Sequence, residues 1–105
     1  MNGLLNKNGT LKTKAFRMGY IEHYRLPRDN GEEYSISISM ENTTVGKYLV
    51  FAVIHGNGSR LWFTADNLRH ARKLYNKGIK LLAEVRDGNM TKEEFRDMLD
   101  KTEHA

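Results

Sequence analysis

Residues 47–78 read KYLVFAVIHGNGSRLWFTADNLRHARKLYNKG, and within this stretch the apolar spacing changes from every second position to every third or fourth. In the first part, a hairpin turned at Asn57-Gly58 puts Val50, Ala52, Ile54, Leu61 and Phe63 on one face. The other face then carries Phe51, Val53, His55, Arg60, Trp62 and Thr64. Because residues 48–54 are apolar on both faces, their strand is expected to be central and covered, at least in part, from both sides. The second part is a helix. Thr64 or Asp66 is its expected cap, since either can accept a hydrogen bond from a first-turn N–H. Leu68, Ala71, Leu74, Tyr75, Leu82 and Val85 make the stripe that packs on the sheet, and Gly78 on the same side permits close approach. Asp87 and Gly88 end the helix, whose other side lines up Arg69, Lys73, Lys77 and Lys80.

Upstream, YIEHYRL and YSISISM flank PRDNG. A three-residue loop of Asp29, Asn30 and Gly31, with Gly31 in the left-handed region, sets Leu26 opposite Tyr34, Tyr24 opposite Ile36 and Tyr20 opposite Met40. A two-residue Asn30-Gly31 loop shifts the register by one and faces Tyr24 and Leu26 with serines, so the longer loop is preferred. Its one cost is Glu22 opposite Ile38 on the apolar face. Downstream, MTKEEF begins a second helix: Thr91 and Glu94 form a capping box, and Met90 and Phe95 a hydrophobic staple. Phe95, Met98 and Leu99 give this helix a narrow apolar stripe, enough to dock it but not to build a core.

The chain is expected to be an α+β protein: an antiparallel sheet of about four strands packed against one long helix, with a short C-terminal helix. Residues 1–15, rich in Asn, Gly, Lys and Thr, read as a mobile basic N-terminal arm, 16–86 as the sheet-plus-helix domain and 89–104 as the C-terminal helix. A length of 105 residues suits one domain with a single core. No apolar run reaches the roughly 20 residues of a membrane span, the N-terminus lacks a signal-peptide block, and cysteine is absent, so a cytoplasmic protein with no membrane partner is expected.

The net charge of +4 is unevenly placed, at +5 over residues 1–28, +2 over 29–83 and −3 over 84–105. A basic body with an acidic end suits a polyanion partner. The chain has no HExxH, no phosphate loop and no GxSxG elbow, and its four histidines form no i, i+4 pair. Neither enzymatic chemistry nor a cofactor or metal is expected.

The outer sheet face is the informative constellation. It collects His23, Arg25, Ser35, Ser37, Ser39, Lys47, His55, Arg60, Trp62 and Thr64: cations for phosphates, hydroxyls for phosphates or base edges, and an indole for methyls or sugars. On the plainer reading the serines are a solvated strand face and Trp62 fills a gap in the core. Phe51 and Val53 beside Trp62 give a third reading, a protein interface, because an apolar patch calls for a partner.

Arg60, Trp62, Ala71, Tyr75 and Asn76 together resemble the end of the AP2-type DNA-binding domain of plant transcription factors, phage integrases and homing endonucleases. In that family an Arg-x-Trp on the last strand leads into a helix with an Ala and then a Tyr-Asp. Here Asn76 replaces the Asp, Thr64 stands where Gly is usual, and the Trp-to-Tyr interval is one residue shorter. The resemblance implies an integrase-like sheet-plus-helix DNA-binding domain whose sheet face enters the major groove. The expected function is therefore non-enzymatic DNA binding through Arg25, Ser37, Lys47, His55, Arg60, Trp62 and Thr64. The alternative is a phage-type interaction or inhibitor protein that grips a host protein, or forms a homodimer, through Phe51, Val53 and Trp62.

Overall fold

Four strands follow one another in space as they do in sequence: β1 (Glu22–Arg25), β2 (Tyr34–Met40), β3 (Tyr48–Ile54) and β4 (Arg60–Ala65), all antiparallel in the order β1-β2-β3-β4. Three helices accompany them: α1 (Thr13–Arg17), α2 (Leu68–Arg86) and α3 (Lys92–Glu103), after a 3-10 turn at Asn2–Leu4. This computed structural model describes residues 2–27, 31–41, 47–54 and 60–103. The architecture is the expected α+β arrangement, with an antiparallel four-stranded sheet, one long helix and a shorter C-terminal one.

The first hairpin has the register that the side chains demand. Glu22 pairs with Ile38, Tyr24 with Ile36 and Arg25 with Ser35, and the Leu26 amide donates to the Tyr34 carbonyl at 3.0 Å. Residues 28–30 of its loop lie outside the described residues, while Gly31 adopts φ +76°. A one-residue slip would have turned Ile36 and Ile38, both fully buried, to the other face. β1 is shorter than YIEHYRL, however: it begins at Glu22, and Tyr20 and Ile21 are exposed.

The second hairpin corrects the sequence reading in register but not in faces. Val50 pairs with Phe63, Phe51 with Trp62 and Ala52 with Leu61. An Asn57-Gly58 turn would instead have set Ala52 opposite Phe63. The difference is two residues, and since side chains alternate with period two, every residue keeps its predicted face. The turn itself, residues 55–59, lies outside the described residues.

β4 runs on to Ala65, which is buried, so the helix cap moves beyond Thr64 and Asp66. Asn67 takes that role, accepting from the His70 amide at 2.9 Å. α2 buries Ala71, Leu74, Tyr75, Gly78, Leu81, Leu82 and Val85, chiefly against β2 and β3. At Gly78 the close approach is real: Ile36 Cδ1 occupies the place a Cβ would take. The C-terminus closes with the Gly88 amide on the Val85 carbonyl (3.1 Å) and the Asn89 amide on the Glu84 carbonyl (2.9 Å), with Gly88 at φ +82°.

The predicted capping box of α3 is present: the Thr91 amide donates to Glu94 Oε1 (3.0 Å) and the Glu94 amide to Thr91 Oγ1 (3.1 Å). This helix does more than dock. Phe95 and Leu99 are fully buried, and α3 covers β4 beside α2.

The N-terminal segment also departs from the mobile arm expected of residues 1–15. Leu5 and Leu11 form an antiparallel bridge, Leu11 packs on the core, and α1 buries Ala15 and Phe16, the latter edge-on to Tyr48 at 5.5 Å. What fastens it is the residue that looked misplaced. Glu22, on the apolar side of β1, receives Arg72 of α2 through two hydrogen bonds (2.6 and 2.9 Å) and the Leu11 amide (2.7 Å), while Arg72 Nη2 also donates to the Leu11 carbonyl (2.7 Å). One ion pair thus clasps the N-terminal segment, the edge strand and the long helix together.

Candidate nucleic-acid interface

With α2 and α3 on one side of the sheet, the other side carries no secondary-structure element among the described residues. The pairing arranges its side chains in rows across the strands. One row runs Arg25, Ser35, Val53, Arg60; the next His23, Ser37, Phe51, Trp62; a third, one strand shorter, Ser39, Leu49, Thr64. These strand positions hold two arginines and a histidine and no carboxylate.

Three spacings of about 4.8 Å between strands separate the backbone positions of Arg25 and Arg60 by roughly 14 Å. Both arginines are exposed, and among the described residues Arg25 has only a loose ion contact, with Glu33 at 3.9 Å. Lys47, just ahead of β3, reaches Asp66 at 4.0 Å, again an open surface pair that contributes little. Between the arginines stands an aromatic pair. Phe51 and Trp62 stack with centroids 5.0 Å apart and planes 17° apart, and Trp62 is 57% exposed. Trp62 therefore fills no gap in the core.

The serines differ from both expectations for them. Ser35 and Ser37 are only 3% and 2% exposed although they lie on the uncovered face. Each is a short side chain flanked by longer ones, Arg25 and Val53 in one case, His23 and Phe51 in the other. Ser37 Oγ has no hydrogen-bond partner among the described residues and no surface to offer a ligand. Of the predicted site residues, Arg25, Lys47, Arg60, Trp62 and Thr64 come together on this face with Phe51 and Val53, Ser37 lies beneath it, and His55 lies outside the described residues.

Arg72 belongs to the clasp with Glu22 and not to the open surface. The cations facing solvent on α2 are Arg69, Lys73 and Lys80, with Lys77 partly covered. Among the described residues, no helix is long and apolar enough to cross a membrane. Comparison with protein-family models, curated proteins and solved structures returns no match for this chain.

Proposed function

We propose that the protein is a non-enzymatic DNA-binding module that uses the uncovered face of its sheet. The observation that carries this reading is the row from Arg25 to Arg60. Two exposed guanidinium groups on positions roughly 14 Å apart match the width of a major groove, about 12 Å, so they can engage phosphates on its two walls. The Phe51–Trp62 stack lies in the next row, where an indole meets base edges, thymine methyls or sugars, and Thr64 and Lys47 add a hydroxyl and a third cation at the same face. The outward strand positions hold no carboxylate, and the acids that reach this face, Glu33 and Asp66, make only long contacts with Arg25 and Lys47, which a polyanion can displace. Arg60 and Trp62 toward solvent and Ala71 and Tyr75 toward the sheet agree with the AP2-type resemblance.

A second reading rests on the centre of the same face, where Leu49, Phe51, Val53 and Trp62 are apolar and only partly buried: a host protein or a second copy would cover them. Binding to a duplex across a salt series separates the two. For DNA, affinity falls steeply with salt, and Arg60→Ala lowers both the affinity and the slope, by about 0.9 in log K against log salt for one lost phosphate contact. For a protein interface, Arg60→Ala matters little, whereas Phe51→Asp or Trp62→Asp breaks a dimer seen by light scattering. A monomer with no salt-sensitive DNA binding would sink the proposal.

A further inference from the structure

The outward ridge of α2 lies on the far side of the molecule from the sheet face. Arg69, Lys73, Asn76 and Lys80 are exposed there, opposite the stripe that packs on β2 and β3. Two clefts of about 490 and 380 Å³ run along this ridge and meet at Lys73 and Asn76. Neither is lined by a carboxylate. The first turn of α2 holds no acidic residue either, and Arg69 stands where the positive end of the helix dipole disfavours it. Like charges also recur at i, i+4 along Arg69, Lys73 and Lys77, then at Lys80, an arrangement that repels itself. Among the described residues, none of these four has an ion pair. By contrast, Arg72 pairs with Glu22 and Lys47 with Asp66.

We infer that this ridge is a second polyanion site, one that grips the phosphate backbone of a second duplex, so that a single molecule bridges two duplexes held on its opposite sides. The inference rests on the sheet face taking DNA as proposed above. Spacing supports it: a rise of 1.5 Å per residue sets the successive cations about 6, 6 and 4.5 Å apart along the axis. A row of this kind, dominated by cations with Asn76 among them, suits a backbone with one charge per roughly 1.7 Å.

The test is capture of a labelled duplex by a bead-bound duplex through added protein, alongside direct binding to one duplex. Wild type is expected to capture, and four phosphate contacts make capture fall about 150-fold between 50 and 200 mM salt. Arg69→Gln/Lys73→Gln/Lys77→Gln/Lys80→Gln, which keeps good helix formers, is expected to lose capture at least about tenfold. Its single-duplex affinity should stay within about threefold at 150 mM salt, because a Debye length of about 8 Å screens charges across the molecule. Capture unchanged in this variant, or no capture by wild type, overturns the bridging inference while Arg60→Ala still reports on the sheet face. Single-duplex binding that survives Arg60→Ala and Trp62→Asp but is abolished by the quadruple variant defeats the sheet-face reading instead, and bridging with it. Co-sedimentation of wild type, but not the variant, with phosphatidylglycerol vesicles in the absence of duplex capture assigns the ridge to a membrane surface and likewise overturns the inference.

Discussion

Cutting the clasp at Glu22 should loosen the whole molecule. Glu22→Leu leaves the Arg72 guanidinium, 20% exposed, without its carboxylate and the Leu11 amide without its acceptor. Breaking a fully buried ion pair from one side costs about 3–5 kcal/mol; with exposures of 20% and 16%, water recovers part of this, and about 2–4 kcal/mol is expected. For a domain of this size that lowers Tm by about 10 °C or more. Arg72→Leu should do the same, since it leaves the carboxylate without its cation and the Leu11 carbonyl with the longer bond from Asn6 Nδ2 (3.4 Å). Glu22→Leu/Arg72→Leu removes both charges, so its loss should fall short of the sum of the single losses by about 1–3 kcal/mol. The part that remains reflects the Leu11 N–H left without its acceptor, at about 1 kcal/mol, and a Leu11 C=O left with the longer bond from Asn6 Nδ2 (3.4 Å). Urea titration at pH 7 gives the energies, and amide exchange at Leu5–Lys12 reports whether the N-terminal segment detaches first. Single variants within about 0.5 kcal/mol of wild type, or losses that simply add, would refute the clasp.

Three further outcomes are expected. Thr91→Ala should cost about 0.5–2 kcal/mol and lower amide protection in the first turn of α3, because the Glu94 amide loses its acceptor; unchanged protection would remove Thr91 as a cap. Ser37→Ala should stabilise by about 1 kcal/mol in chemical denaturation, since it deletes a buried hydroxyl without a partner; a clear loss would mean that the hydroxyl is bonded. Burial first, and then the hydrogen bond donated to Glu32 (2.8 Å), raise the Tyr34 phenol from 10.0 to about 12. The folded state therefore keeps a proton that the unfolded chain releases, so stability is intact below pH 10 and falls between pH 10 and 12. Tyr34→Phe should flatten that fall in a series of urea midpoints, and an unaltered slope would count against it.

The strands were legible because each buries one face. Ile36 and Ile38 leave a single acceptable register for the first hairpin, and period-two alternation preserved the faces of the second even though its register lies two residues away. Contacts between distant residues could not be read. Nothing local in the N-terminal segment says that Leu11 will meet Glu22 and Arg72, the latter 61 residues on. Nor does a three-residue apolar stripe reveal that Phe95 and Leu99 will be fully buried against β4 and α2. The cap of α2 was misplaced because Thr64, Asp66 and Asn67 all suit the role, and only the burial of Ala65 at the strand end decides among them. At the candidate site, strand parity supplied the membership of the face, whereas the burial of Ser37 depends on the height of its neighbours His23 and Phe51.

The clasp also bears on how the candidate interface works. The span between Arg25 and Arg60 is set by four strands lying side by side, so it is only as fixed as the weaker edge. β4, at one edge, has α3 beneath it and Leu61, Phe63 and Ala65 buried. β1, at the other, has four residues and exposes every second one, so by itself it would fray. Glu22 is its first residue, and the ion pair to Arg72 anchors that end to the long helix, while the Leu26 amide bonded to Tyr34 anchors the other. Arg25 is thus held between two fixed points, its own side chain in no more than the loose contact with Glu33 among the described residues. On the proposed reading, arginines on such a frame would meet a duplex with little backbone ordering left to do, which would favour association, because that conformational entropy has already been lost in folding.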